Sequence, residues 1–254
     1  KAKEAVCSIS GNSVIIRKIS LPAMTPEELE DQIAWEAEQY IPFDINDVNL
    51  DFEILESDLS SSGKMTILLV ASKKEIINEY VAVLNEAGLK LVVIDVDSFA
   101  VQNIYEKNYS PSENEVAALI NIGASIMNLN VVKDGGSLFT RDVQMGGNLY
   151  TEEIQRQFSL NSQDAERCKL TGDYPDAERL RDTISRMNET IAQEIQRSLD
   201  FYNSTAEENK ISRIYLSGGG SKVSMLPETL AHRLGLPVEL LNPLKNIKYN
   251  EKEF

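Results

Sequence analysis

Glu115-Val116-Ala117-Ala118-Leu119-Ile120-Asn121-Ile122-Gly123-Ala124-Ser125 opens the part of the chain whose reading sets the fold. The apolar run 115–122 has the length of a buried strand, and Gly123 breaks it. Two more strands are expected at 125–133 and 137–143, joined by Asp134-Gly135, a dipeptide that suits the left-handed residues of a two-residue hairpin turn. Beyond them the pattern predicts a helix over 148–158, an excursion rich in helix formers, a strand over 212–217, a helix over 222–234 and a strand over 238–241. Without the excursion the order is βββαβαβ, which implies a mixed sheet flanked by helices and a site at its strand ends. The fold class is therefore α/β.

The excursion's main element spans 177–204, with Leu180, Ile184, Met187, Ile191, Ile195, Leu199 and Tyr202 spaced by threes and fours. Such a stripe packs either on its own domain or in a coiled coil. Upstream, Ser110-Pro111-Ser112 reads as a boundary. The residues before it give the order ββαββαβ and then a connecting helix over 96–105. The Gly11-Asn12 turn predicts a hairpin between 5–10 and 13–20. Thr25-Pro26-Glu27-Glu28 predicts a capped helix running to about Tyr40, with an inward stripe of Leu29, Ile33, Ala37 and Tyr40, ended by Pro42. Strands follow at 48–55 and 65–71, separated by a Ser-Gly loop, then a helix over 74–87 closed by Gly88 and a strand over 89–95.

Over 254 residues the chain carries 42% hydrophobic and 26% charged residues, with 13 Gly and 8 Pro, which excludes a disordered or fibrous chain. Its longest aliphatic runs, 67–71 and 91–94, are too short for a membrane span, and its first residues lack the apolar block of a signal peptide. Cys7 and Cys168 have no metal or haem spacing and favour a reducing compartment, so the cytoplasm is expected. The net charge of −15 excludes nucleic acid, whose phosphates need Lys and Arg. Residues 19–63 hold twelve carboxylates and no Lys or Arg. That stretch reads either as a solvated face or as a docking surface for a basic partner.

Two glycine turns follow strands: Asn121-Ile122-Gly123-Ala124-Ser125 and Ser217-Gly218-Gly219-Gly220-Ser221-Lys222. The first lets consecutive N–H groups turn toward an anion, and the second lets a flat ring approach the main chain. Gly146-Gly147 opens a helix whose first N–H groups are expected to be free for phosphate. Either turn also reads as an ordinary tight connection. There is no Walker lysine motif, dinucleotide fingerprint or G-x-S-x-G elbow. The single histidine, His232, falls inside a helix, so neither a Ser-His-Asp triad nor a metal cluster is expected, and no catalytic residue is assigned.

Trp35-Glu36-Ala37-Glu38-Gln39-Tyr40-Ile41-Pro42-Phe43, preceded by Ser20-Leu21-Pro22 and followed by Val48-Asn49-Leu50-Asp51-Phe52, resembles the PilM family of type IV pilus assembly, actin-like relatives of FtsA. The resemblance continues through Leu69-Val70-Ala71, Ala87-Gly88-Leu89, Asp95-Val96-Asp97-Ser98-Phe99-Ala100, Ile122-Gly123-Ala124, Gly146-Gly147 and Ser217-Gly218-Gly219-Gly220-Ser221, over essentially the whole chain.

It implies an actin-like (RNase H-like) fold with an inserted 1C subdomain and an incomplete subdomain 1A. The chain would begin after the family's Gly-x-Asp phosphate hairpin and stop before the helix that returns to 1A. Residues 1–94 would be 1C-like, 95–110 a connecting helix of the first lobe, 111–150 with 211–254 subdomain 2A, and 151–210 a helical 2B. Gly123, Ala124 and Ser125 would match the second phosphate loop, with Asn121 standing where the family has Asp, and Gly218, Gly219 and Gly220 the adenosine loop. Glu166 and Lys169 would lie by the ribose and purine. The implied cofactor is ATP with Mg2+, held weakly without the first phosphate loop, so the chain would be at most a weak ATPase. The implied role is a cytoplasmic, nucleotide-responsive adaptor, peripheral to the inner membrane, that binds the cytoplasmic N-terminal tail of a PilN-like protein, with Trp35 as a candidate anchor. The alternatives are an ATP-dependent small-molecule kinase and an FtsA- or MreB-like filament former.

Overall fold

A computed structural model describes residues 3–58, 63–112, 114–206 and 209–248. The chain divides into two units, Lys1–Val96 and Asp97–Phe254.

In the first unit, β2 (Val14–Pro22), β4 (Lys64–Lys73) and β3 (Val48–Asp58) form an antiparallel sheet in the order β2-β4-β3. Met65, Ile67, Leu69 and Ala71 alternate along β4 and point with Ile19, Leu21 and Val48 into one core. The core is closed by α1 (Pro26–Ala37), which supplies Leu29, Ile33 and Ala37. Its start is a complete capping box: Glu28 N donates to Thr25 Oγ1 at 3.2 Å and Thr25 N to Glu28 Oε2 at 2.9 Å. The helix stops at Ala37. Tyr40 lies in the following turn and is exposed, and Ile41 takes the buried place expected of it.

The expected hairpin between the first two strands does not form. β1 (Glu4–Ile9) pairs in parallel with β5 (Lys90–Val96), matching Ser8 with Asp95, while β2 pairs with β4, matching Ile19 with Ile67. A turn dipeptide reverses the chain locally, but the partner is chosen by the inward face. β2's Ile19 and Leu21 need the core that β4 and α1 provide. α2 (Lys74–Glu86), ended by Gly88 at φ +72, leads into β5. The Ser-Gly loop at 60–63 lies outside the described residues except for Gly63.

The second unit is built on a five-stranded sheet of order β10-β9-β6-β7-β8, from β6 (Val116–Ile122), β7 (Met127–Lys133), β8 (Gly136–Val143), β9 (Arg213–Ser217) and β10 (Val238–Leu240). β6, β9 and β10 run parallel, and β6, β7 and β8 alternate. Asp134 and Gly135 have φ of +49 and +79, the left-handed pair the hairpin needs. On one face lies α3 (Asp97–Asn108), held by Asn130 Nδ2 donating to Gln102 Oε1 at 2.9 Å. This helix therefore counts with the second unit rather than with the first lobe. The chain divides at Val96 and not at Ser110-Pro111-Ser112, which marks only the segment after α3.

The other face carries the larger core. α4 (Asn148–Phe158), α6 (Ala177–Thr205) and α7 (Leu226–Leu234) bury Tyr150, Ile154, Ile191, Ile195 and Leu230 against Ile120, Ile122, Leu129 and Leu216. The long stripe of α6 is spent on its own unit, so no coiled coil is needed to cover it. The excursion also contains α5 (Ser162–Thr171), capped by Asn161. α7 begins four residues later than expected, after a 3-10 turn at Gly219–Lys222, because Pro227 in its first turn lacks an N–H and suits only a helix start. Among the described residues no helix is long and apolar enough to cross a membrane.

Candidate functional site

β6 and β9 are parallel neighbours with Asn121 opposite Ser217, so both glycine turns leave the same end of the sheet. Gly218 adopts φ +82, and a Cβ there would lie 2.4 Å from Ile122 O and 2.6 Å from Asn121 Oδ1. A Cβ on Gly220 would sit 2.5 Å from Ile122 Cγ2. Packing against β6 accounts for both. Gly219 differs: a Cβ there would meet nothing within 4 Å, so the middle of the loop faces open space.

Gly146 and Gly147 join this end of the sheet, but not as a free helix terminus. Gly147 N donates to Gly123 O at 2.9 Å and Asn148 N to Ala124 O at 2.8 Å, so the first N–H groups of α4 are already bonded. The reason is steric. Gly146, without a Cβ, lets Gly123 O and Ala124 O approach to where that atom would be, 2.5 and 2.6 Å away. Asn148 Nδ2 adds a 3.0 Å bond to Ser125 Oγ. In the turn itself Ala124 and Ser125 are exposed.

Glu166 and Lys169 come to the same place. Lys169 Nζ lies 2.7 Å from Glu166 Oε2, 3.2 Å from Thr151 Oγ1 and 3.3 Å from Gly147 O, and a Cβ on Gly147 would be 3.5 Å from that ammonium and 3.9 Å from Gly220 Cα. The ammonium thus has an acceptor for each of its three protons and ties α5 to the first turn of α4. Burial pushes the Glu166 carboxyl up, but the bonds from Lys169 and from Thr151 Oγ1, at 2.5 Å, outweigh it and hold its pKa below the usual glutamate value.

Asn121 is engaged on both sides. Its Nδ2 donates to Asn128 Oδ1 at 3.0 Å, and its Oδ1 accepts from Ser217 Oγ at 3.2 Å. Among the described residues no group of three or more His, Cys, Asp or Glu could hold a metal. A divalent ion at this end of the sheet would depend on phosphate and water oxygens, as Mg2+ commonly does. Gly219 faces open space, and Ala124 and Ser125 are exposed in the turn that leaves the same end of the sheet. Sequence reasoning brought out the glycines but missed Thr151, Asn128 and Asp142. Their signal was polar residues at Asn128 and Asn130 inside an apolar strand, where each needs a partner.

Trp35, in the first unit, is 65% exposed on α1, with exposed Asp31 and Glu38 one helical turn to either side. Nine of the twelve carboxylates of 19–63 are exposed, Glu36 is half-buried, and the side chains of Glu56 and Asp58 lie outside the described residues. His232 is exposed on α7.

The family model for type IV pilus assembly protein PilM matches residues 1–253. The chain belongs to that family. A solved structure described as a PilM-PilN type IV pilus biogenesis complex is 32% identical over 98% of this chain and 72% of its own, with a TM-score of 0.82. MreB5 of Spiroplasma citri bound to AMPPNP shares 14% identity over 68% of this chain and 62% of its own, with a TM-score of 0.51, a likeness of fold alone. The fold is thus actin-like, and pilus assembly is favoured over the small-molecule kinase and filament-former readings.

Proposed function

We propose that this chain is an actin-like adaptor of the type IV pilus machine that binds a PilN-like inner-membrane protein by its cytoplasmic tail and so works in the cytoplasm, at the inner membrane. The observation that carries this reading is the likeness to a PilM-PilN complex across 98% of the chain. Charge supports the docking mode. Segments just inside a membrane are rich in Lys and Arg, and the α1 face offers an exposed indole between the exposed carboxylates of Asp31 and Glu38, which suits a cationic, partly apolar peptide.

The second unit is the proposed nucleotide site. Ala124 and Ser125, both exposed, would receive phosphate on their backbone N–H groups, while Gly123, whose own N–H donates to Ile126 O at 2.9 Å, would shape that phosphate turn, and Gly218, Gly219 and Gly220 would form the floor beneath adenine, with Gly219 presenting the open approach. Gly146 and Gly147 contribute by holding the phosphate turn in shape. Glu166 keeps one oxygen beyond the Thr151 and Lys169 bonds for a ribose hydroxyl. ATP would supply a phosphate chain whose presence or loss changes the state of the adaptor. Asn121, a neutral amide already bonded twice, directs Mg2+ less well than a carboxylate, which is why hydrolysis is expected to be weak at most. The subdomain assignments expected from the sequence, 1C-like for most of the first unit and 2A with a helical 2B for the second, belong to the same proposal.

The test is calorimetry of the native chain and Trp35→Ala with a synthetic PilN-like tail peptide at two salt concentrations. Binding that weakens in the variant and with salt is expected. Affinity equal in both proteins removes the anchor, and affinity indifferent to salt removes the electrostatic argument.

A further inference from the structure

Four polar side chains form one rung across the second unit's sheet. Ser217, Asn121, Asn128 and Asp142 occupy matched positions on β9, β6, β7 and β8. Ser217 Oγ donates to Asn121 Oδ1, Asn121 Nδ2 to Asn128 Oδ1, and Asn128 Nδ2 to Asp142 Oδ1 at 2.8 Å. The two central members are amides, which offer an oxygen on one side and an NH2 on the other, and Ser217 carries a hydroxyl that accepts as readily as it donates. None of these three fixes the direction of the rung. Asp142 does, because an ionised carboxylate only accepts. It draws the Asn128 NH2 toward itself, which turns the Asn128 oxygen to Asn121 and the Asn121 oxygen to Ser217 and Gly218. Asn128 is 2% exposed, so water does not compete for the central bond.

We infer that Asp142 is a positioning residue that, through Asn128, makes the neutral Asn121 present its oxygen at the glycine end of the sheet. With the opposite direction Asn121 would turn an NH2 toward the site, a donor that repels a cation. The rung restores at a distance part of what a carboxylate at position 121 would give: an acceptor of fixed orientation, without its charge. The placement is specific, since Asn121 Oδ1 lies where a Cβ on Gly218 would be 2.6 Å away, directly at the start of the loop proposed for adenosine. The consequence for ligand rests on the nucleotide reading above; the orientation itself does not.

The two parts are separable by experiment. In the chain labelled with 15N-asparagine, the side-chain NH2 signals of Asn121, Asn128 and Asn130 are assigned in the native protein, Asp142→Asn and Asp142→Ala. Asp142→Asn keeps size and hydrogen-bonding capacity and removes only the obligatory acceptor. Both Asn128 and Asn121 signals are expected to move in both variants, while Asn130, on the same strand but bonded to Gln102 and the Ser98 carbonyl, stays in place. An Asn121 signal at its native position, or an Asn130 signal that moves as much, overturns the relay. ATP titration with and without Mg2+ supplies the second readout. Asp142→Asn is expected to reduce the gain in affinity that Mg2+ brings several-fold; a gain equal to that of the native chain overturns the link to the metal side. A native chain that binds ATP in neither condition overturns the nucleotide reading, and the amide signals then decide the relay alone.

Discussion

The carbonyl oxygen of Ile122 lies 2.4 Å from where a Cβ on Gly218 would be, so the last residue of β6 and the first of the loop after β9 touch through bare backbone. A triple glycine reads in sequence as one ligand loop, yet its members have different reasons to be glycine.

Gly218→Ala therefore costs stability, about 2 kcal/mol or more, since it combines a positive φ with a contact against backbone that cannot give way. Gly219→Ala changes stability by no more than about 0.5 kcal/mol. Gly219→Val keeps the native melting temperature and abolishes nucleotide binding. Chemical denaturation of the three variants with ATP calorimetry checks this, and retained binding in Gly219→Val removes the adenosine-loop assignment.

Trp35→Ala alters stability by no more than about 1 kcal/mol, because the indole is 65% exposed and has little burial to lose. In the native chain its fluorescence has the red emission of a hydrated indole and shifts blue on adding tail peptide. Blue emission from the free protein would show that something already covers the ring.

Glu166 makes stability depend on acid. Its pKa is held below the usual value, because the bonds from Lys169 and Thr151 exceed the opposing effect of burial. The contribution is complete above the unfolded glutamate value of about 4.3 and drains away as pH falls through that value toward the folded one. The stability difference between native chain and Glu166→Gln is accordingly expected at pH 7 and shrinks below pH ~4. Urea denaturation of both at the two ends measures it. A difference that grows on acidification contradicts the assigned direction.

Asn188 accepts from Tyr150 OH at 2.8 Å and donates to Ser224 O at 2.9 Å, in a position with no exposure. Asn188→Leu strands the Tyr150 hydroxyl in the core and costs about 1 to 3 kcal/mol. Adding Tyr150→Phe recovers part of the loss by removing the stranded group, and a double-mutant cycle in urea reads the coupling. Full additivity would show that the two side chains act independently.

The capping box at Thr25, the hairpin at Asp134-Gly135, Leu29, Ile33 and Ala37 of the inward stripe of α1 and the order of strands and helices along the second unit were legible from the chain, because each is set by neighbours a few residues apart. The glycine turns were legible as candidates for the same reason. The rung ending at Asp142 was not. Its four members span residues 121 to 217, and only strand pairing makes them neighbours. Nor was the engagement of the α4 amides, which depends on how closely Gly146 lets the 123–124 turn approach.

By itself the sequence determined the elements, the actin-like class through its resemblance, and the acidic face around Trp35, since periodicity, turn chemistry and charge act through local physics. Tertiary structure decided that β1 leaves β2 for β5, that α3 joins the second sheet, and which glycines serve packing rather than ligand. Those outcomes depend on matching buried faces and on distances between backbone atoms far apart in the chain, quantities that exist only once the strands have paired.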